Sequence, residues 1–410
     1  MENIPLCRAS GAQLEEVLNL GRQPLGNGFI DPANRQPEYF FDLKVGFSEE
    51  GSLLQLIDQP AAELMFHDDY AFFSGTSAYM RRHFEELADE FIDEHLVENQ
   101  NPFVVELGCN DGVLLRHFAA RGIRHLGVEP AGAVGDAAVD AGVSVLREFF
   151  SSSVAEAIKN EHGRASIVTS SNVMCHIADI MGTAQGIADL LDQDGVLIFE
   201  DPYLGDIIRL NSYDQIYDEH VFLFSAMSVQ KLFARVGLEL LDARPQSTHG
   251  GSMRYYLAHT GKRKRTEHLG VIIKNETEMG LNRAETYHSF AARVARSAES
   301  LRTVMSEAVS RGRTIAAYGA TSKSTTIYNY ARIGPELISY VVDNTPVKIG
   351  KLTPGMHIPI FSEAKFRDSP PDLAFLSAWN HSKEIQANNL SFSELGGHWI
   401  THVPEVRVIL

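Results

Sequence analysis

The sequence predicts an α/β protein with a small N-terminal lobe, a central Rossmann-like domain and a second Rossmann-like domain at the C-terminus. Two observations indicate the paired units: an apolar strand runs into a glycine turn and a helix near residue 103, and again near residue 314. Apolar side chains at helical spacing over residues 282–311 predict a long helix between the units. We therefore expect domains at 1–69, 70–281 and 282–410.

Length and net charge limit the classes of protein to which this sequence can belong. A chain of 410 residues is too long for one typical core. Its net charge of -17 argues against nucleic acid as a partner, because a phosphate backbone needs a basic surface. The chain has no apolar run of membrane-spanning length and no signal peptide. Three scattered cysteines suit a reducing compartment. We expect a cytoplasmic enzyme with no membrane partner.

The turn at residues 106–112 reads ELGCNDG and follows the first apolar strand. A dinucleotide site has the spacing G-x-G-x-x-G and lets backbone amides approach a pyrophosphate. Here Glu106 and Asp111 flank the turn, and carboxylates suit a cation instead. Glu129 ends the next strand, where an acid can accept hydrogen bonds from ribose hydroxyls. The pattern resembles motif I of class I S-adenosylmethionine-dependent methyltransferases, so we expect an α/β class I methyltransferase domain that binds this cofactor.

Polar residues accumulate where later strands of the central domain end. Asn172 and His176 follow the strand near residues 166–169, and another strand spans 195–202. In an open α/β sheet, ligands sit at these carboxyl ends. The predicted cofactor-binding residues are Glu106, Gly108, Asn110, Asp111, Gly112, Glu129 and Asn172.

Residues 217–220 read YDEH and place an imidazole beside carboxylates. Neighbouring carboxylates can raise the basicity of a histidine and fix its tautomer. A polar loop that caps the helix starting near Ser225 is the plainer interpretation.

Two further segments contain candidate substrate contacts. Tyr70 and Ser74 lie in an aromatic and hydroxyl-rich stretch that is either a lid over a substrate or a helix cap. His249 and Arg254 flank a Gly-Gly pair that permits close backbone approach to a ligand, or that marks a bulge.

The second strand-turn-helix unit contains Lys323 near the start of its helix. Free backbone amides, hydroxyls and an ammonium group together form an anion site. We therefore expect Lys323 to contact a phosphate of the substrate.

Six segments together resemble the sugar C-methyltransferases that act on carbon 3 of nucleotide-linked 4-keto deoxysugars. They read ELGCNDG, YDEHVFLFS, HGGSMRYYL, YGATSKSTTIYNYARIGP, VVDNTPVKIGKLTPGMHIPI and AWNHSKEI, in this order along nearly the whole chain. The resemblance implies an S-adenosylmethionine-dependent enzyme of deoxysugar biosynthesis with a nucleotide-sugar substrate. It also implies that His220 is the general base, with Tyr217, Glu219 and His176 around the sugar.

The N-terminal lobe departs from this family. The family has two C-x-x-C pairs that bind a structural zinc ion, whereas here the first pair reads CRAS from Cys7 and the second has no cysteine. One thiolate cannot form a tetrahedral structural site. We expect a lobe without metal, stabilised by apolar packing.

The chemistry expected from these residues is abstraction of a proton beside a ketone, followed by attack of the enolate carbon on the methyl donor. Tyr217 or His176 can stabilise the enolate oxygen, and His176 remains a rival to His220 as the base. Two other functions stay open: a sugar O-methyltransferase, and a catalytically silent nucleotide-sugar binding protein.

Overall fold

A computed structural model describes residues 4–33, 37–66, 73–97 and 99–409. The N-terminal lobe is an antiparallel sheet followed by a short helix. Its elements are β1 (Glu15–Pro24), β2 (Phe40–Ser48), β3 (Leu53–Leu56) and α1 (Ala62–Met65). Cys7 is buried in the hydrophobic cluster that contains Leu14 and Leu53.

The central domain alternates strands and helices around one sheet. Its elements are α2 (Ala78–Phe91), β4 (Phe103–Leu107), α3 (Leu115–Ala120), β5 (Arg124–Val128), α4 (Gly132–Asp140), β6 (Val145–Leu146), α5 (Ser152–His162), β7 (Ala165–Ser171), α6 (Ile180–Leu190), β8 (Leu191–Pro202), α7 (Leu204–Leu210), β9 (Phe222–Leu223), α8 (Ala226–Ala234), β10 (Leu238–Gln246), β11 (Ser252–His259) and α9 (Glu267–Met279). The strand order is β10-β11-β8-β7-β4-β5-β6, in which the β10–β11 and β11–β8 pairs are antiparallel and the other pairs are parallel.

The C-terminal domain has a second, smaller sheet behind a long helix. Its elements are α10 (Ala284–Ser310), β12 (Ile315–Tyr318), α11 (Ser322–Tyr330), β13 (Tyr340–Val342), β14 (Ile360–Phe361), α12 (Glu363–Asp368), β15 (Leu373–Leu376), α13 (Ser382–Asn388), α14 (Leu390–Glu394), β16 (His398–Thr401) and β17 (Arg407–Ile409). The order is β14-β13-β12-β15-β16-β17, and all pairs except β16 with β17 are parallel.

Packing joins the three parts of the chain. β9 belongs to the central domain by sequence but pairs with β3 of the lobe, so the two parts share one sheet. The apolar stripe of α10, including Phe290 and Val294, lies in one hydrophobic cluster with lobe strands and β12. The carboxyl ends of the parallel strands in both Rossmann-like sheets therefore lie near a common crevice.

Candidate active site

The turn after β4 packs tightly against the residues that follow β5 and β7. Gly108 has a φ of +66°, and a Cβ atom there would lie 2.5 Å from Cγ2 of Val173. Only glycine fits both the left-handed backbone and this close approach. The Gly108 amide donates to the Val128 carbonyl at 2.7 Å, which ties the turn to β5. Gly112 and Asn172 also have positive φ, and Asn172 follows the neighbouring strand β7.

Buried carboxyl groups surround this turn. Oε2 of Glu106 and Oδ1 of Asp111 are buried and have no hydrogen-bond partner among the described residues. Burial, together with the charges of Glu129 and Asp111, raises the pKa of Glu106 well above its usual range. A buried acid with an unpaired oxygen is stabilised by a cation. The turn therefore fits the positive methionine end of S-adenosylmethionine, as the sequence predicts.

Glu129 is held by the backbone of the turn. Its Oε2 accepts from the Asn110 amide and its Oε1 from the Ala131 amide, both at 2.9 Å. Burial raises the pKa of Glu129. The carboxyl group thus fixes the turn at the point where a ribose contact is predicted.

The segment before α2 lies on the cofactor turn. The amide of Ser74 donates to Oδ1 of Asn110 at 2.9 Å, and the amide of Gly75 donates to Oδ2 of Asp111 at 2.8 Å. Ser77 caps α2 by accepting from the Met80 amide. Ser74, predicted to contact substrate, is therefore positioned beside the cofactor residues. The predicted contact by Tyr70 lies outside the described residues.

His220 is held in one tautomer by two hydrogen bonds. Its Nδ1 lies 2.7 Å from the carbonyl oxygen of Gln215, which can only accept, so Nδ1 carries the proton. Nε2 then has the lone pair and accepts from the hydroxyl of Tyr217 at 2.8 Å. Burial, with His176 and Lys323 nearby, holds the pKa of His220 well below 6.5. His220 is thus a neutral imidazole with Nε2 as its basic atom.

His176 stacks directly on His220. The ring centroids are 5.3 Å apart with an interplanar angle of 23°, and Phe66 stacks on His176 at 5.5 Å. Burial lowers the pKa of His176 to about 4. Its Nε2 is buried without a hydrogen-bond partner among the described residues. Both histidines predicted around the reacting group are therefore neutral and adjacent.

The same cluster contains a thiol. Potential ligand atoms of Cys175, His176 and His220 lie within 4.8 Å of one another, a grouping unique among the described residues. Burial raises the pKa of the Cys175 thiol well above its usual range, and both ring nitrogens of His220 are already hydrogen-bonded. A neutral thiol fits a metal ion poorly, since cysteine binds metals as a thiolate.

Lys323 faces this histidine cluster from the C-terminal domain. Its Nζ lies 3.3 Å from the carbonyl oxygen of His249. Burial lowers the pKa of Lys323, and the carboxylate of Asp214 offsets part of that effect. The charge of Lys323 in turn adds to the burial that lowers the pKa of His249 to about 3. The predicted anion site thus opens toward the histidines.

Arg254 binds carboxylates of the protein. Its guanidinium contacts Oε2 of Glu200 at 3.1 Å and Oε2 of Glu90 at 2.6 Å. Glu200 also accepts from Thr248 at 2.8 Å, and although burial opposes it, His83 and Arg254 lower the pKa of Glu200 to about 2. Because these carboxylates neutralise the guanidinium, the geometry favours a structural role over the substrate contact expected from the sequence.

Sequence reasoning missed two groups at the domain junction. Fully buried Asp214 accepts from Nε1 of Trp379 at 2.6 Å and lies 3.2 Å from Nε2 of His402. Asn27 of the lobe donates to Oε1 of Glu219 at 2.7 Å. The loop Pro-Leu-Gly-Asn-Gly at residues 24–28 is apparent in the sequence, but Glu219, the partner of Asn27, lies 192 residues further along the chain.

Comparison with known proteins covers all three parts of the chain. Family models match in succession: a putative zinc binding domain at residues 7–66, a methyltransferase domain at 79–243 and a C-methyltransferase C-terminal domain at 247–404. The C-methyltransferase NovU of Streptomyces niveus is 32% identical over 396 residues, which is 96% of this chain and 94% of that protein.

Solved structures resemble less than half of the chain. A magnesium protoporphyrin IX methyltransferase from Synechocystis PCC 6803 with bound SAM has a TM-score of 0.34 and 13% identity, and covers 44% of this chain and 82% of that one. An S-adenosylmethionine-dependent methyltransferase from Clostridium acetobutylicum has a TM-score of 0.34 and 11% identity, and covers 43% and 92%. None of the helices in the described part of this chain has the length and apolar character needed to cross a membrane.

Proposed function

This chain belongs to the C-methyltransferase family and is an S-adenosylmethionine-dependent methyltransferase, and we propose that it methylates carbon 3 of a nucleotide-linked 4-keto deoxysugar. The observation that carries this proposal is the neutral His220, whose ring stacks on His176 and lies close enough to Lys323 of the C-terminal domain for that charge to lower its pKa. Such a base can remove a proton from a carbon that a ketone has acidified.

Acidic residues at the turn after β4 and at the end of β5 are assigned to cofactor binding. Glu106 and Asp111 face the cationic methionine end, and the region of Glu129 receives the ribose. When bound, S-adenosylmethionine supplies an electrophilic methyl group on a sulfonium. The amides of Ser74 and Gly75 donate to Asn110 and Asp111, so this segment holds the side chains of the turn in place.

Proton abstraction is assigned to Nε2 of His220. The Gln215 carbonyl keeps Nδ1 protonated and favours the imidazolium that forms, since this hydrogen bond raises the pKa of His220 against the effect of burial. The Tyr217 hydroxyl lies 2.8 Å from Nε2, and once Nε2 has taken the substrate proton, the hydroxyl is released to donate to the developing enolate oxygen. Carbon 3 would then take the methyl group as the methyl–sulfur bond breaks, with neutral S-adenosylhomocysteine as the leaving group.

The nucleotide part of the substrate is assigned to the C-terminal side of the crevice. The ammonium group of Lys323, in the first turn of α11, and the positive end of the helix dipole favour an anion there. Phosphate binding at this point places the sugar ring next to the two histidines.

Mass spectrometry tests the proposal. A panel of nucleotide-linked 4-keto sugars is incubated with the protein and S-adenosylmethionine, and one substrate should gain a single methyl group. In deuterium oxide without cofactor, deuterium should enter carbon 3 of that substrate. Methyl gain without this exchange would instead indicate an O-methyltransferase, and cofactor binding without turnover would indicate a silent binding protein.

A further inference from the structure

A loop of the N-terminal lobe reaches into the candidate active site. Residues 24–28 leave β1 and lie between the catalytic loop at 213–221 and the start of α11. All three parts of the chain therefore meet at this loop.

The lobe loop bonds to two carboxylates of the catalytic loop. Nδ2 of Asn27 donates to Oε1 of Glu219 at 2.7 Å, and the amide of Gly26 donates to Oδ2 of Asp218 at 3.0 Å. Glu219 is buried, while Asn27 is exposed on the crevice side. A short amide-to-carboxylate bond restricts the directions that the carboxylate can take.

The loop is held from the other side by the C-terminal domain. The hydroxyl of Thr325 donates to the Gly26 carbonyl at 2.9 Å, and the hydroxyl of Thr326 donates to the Ile216 carbonyl at 3.0 Å. A Cβ atom on Gly26 would lie 2.8 Å from Oδ1 of Asp218 and 2.9 Å from Cβ of Ser322. The approach is so close that residue 26 is restricted to glycine.

We propose that Asn27 is a positioning residue, which orients the carboxylate of Glu219 toward the reacting sugar from the N-terminal lobe. The proposal rests on the proposed function, in which Glu219 lies next to the sugar. It gives the lobe a role in catalysis that needs no metal ion, because the contact depends on the β1 loop and on the shared sheet.

Kinetics of the full-length protein test the assignment. Asn27→Ala should lower kcat by about 10- to 100-fold, the scale expected when a reacting group is misplaced, with KM for S-adenosylmethionine unchanged. Asn27→Gln, which keeps the amide donor, should recover part of that loss. In a Glu219→Ala background, which removes the acceptor, Asn27→Ala should change the residual kcat by less than about twofold, because residues that act through one contact are not additive.

Asn19→Ala is the matched control, since Asn19 is an exposed asparagine of the same lobe. It should leave kcat at the wild-type value. Wild-type kcat in Asn27→Ala, or an equal loss with and without the Glu219 carboxylate, would overturn the proposal.

Hydrogen–deuterium exchange separates this proposal from the proposed function. Amides at 217–220 should exchange faster in Asn27→Ala than in the wild type or in Asn19→Ala. If the wild-type protein methylates no 4-keto sugar, the proposed function fails, and exchange alone decides whether the lobe holds the catalytic loop. Unchanged exchange in that case overturns the positioning role.

Discussion

The two Rossmann-like units share a backbone arrangement at their first turn. The amide of Gly108 donates to the Val128 carbonyl at 2.7 Å, and the amide of Gly319 donates to the Val342 carbonyl at 2.8 Å. Glu129 accepts two backbone amides after β5, and Asp343 accepts two backbone amides after β13 in the same way. The scaffold is thus repeated within one chain.

The side chains on the two turns have opposite charges. The central turn contains buried Glu106 and half-buried Asp111, whereas half-buried Lys323 follows the C-terminal turn and Lys348 bonds to the Ala320 carbonyl of that turn at 2.8 Å while pairing with Asp343. Burial raises the pKa of Glu106 and lowers the pKa of Lys323 and Lys348. The fold repeats the same sheet edge, and the proposed function assigns a cationic ligand to the first turn and an anionic ligand to the second on the basis of these side chains.

The largest effect on turnover is expected from substitution of His220, the proposed general base. His220→Asn should reduce turnover by roughly 100- to 10,000-fold, the usual contribution of a general base, with both ligands still bound. Exchange of the carbon 3 proton with solvent should fall in parallel. If His220→Asn exchanges at the wild-type rate and His176→Asn does not, His176 is the base and His220 orients the sugar.

The predicted phosphate-binding side of the comparison is tested with Lys323→Ala. The apparent constant for the nucleotide sugar should rise by about 10- to 100-fold, the equivalent of losing a hydrogen bond to a charged group, while cofactor affinity stays constant. Lys383→Ala, an exposed lysine of the same domain, is the control and should change neither constant. Equal effects on both ligands would show that the turns do not act separately.

The cofactor-binding side of the comparison is tested at Glu129. Glu129→Ala should weaken S-adenosylmethionine binding by about 1 to 3 kcal/mol, measured by isothermal titration, because hydrogen bonds to a charged group are lost. Glu129→Gln separates the charge from the hydrogen bonds that hold the turn. An affinity that stays at the wild-type value in Glu129→Ala would contradict the assignment.

The charge difference also predicts the pH dependence of cofactor binding. Burial, Glu129 and Asp111 raise the pKa of Glu106 well above its usual range, so in the free protein this carboxyl group keeps its proton to higher pH than an ordinary glutamate does. A bound cation favours the ionised form, so binding releases a proton and affinity should increase with pH, by up to about tenfold per unit below that pKa. Titration in buffers of different ionisation enthalpy measures the release, and Glu106→Gln should abolish it.

The smallest effect is expected from removal of metal ions, which concerns Cys7 of the lobe and neither charged turn. Cys7 is buried in apolar surroundings, and a single thiolate cannot complete a zinc site. The purified protein should contain no stoichiometric zinc, and a chelator should leave the midpoint of thermal unfolding unchanged. About one zinc ion per chain would contradict this prediction.

Local sequence was sufficient for several of the elements. Apolar spacing over 282–311 predicts a helix, and α10 spans Ala284–Ser310. A strand is predicted near residues 166–169, and β7 spans Ala165–Ser171. Such elements depend on side-chain periodicity within a few turns, so they can be read without knowing their partners.

Tertiary structure decided which of these residues meet. The sequence alone did not indicate that β9 would extend the lobe sheet, that Arg254 would pair with Glu90 and Glu200, or that Asn27 would reach Glu219. The last two side chains are 192 residues apart. Spacing in the sequence carries no information over such separations, because the contact is set by the packing of three domains around one crevice.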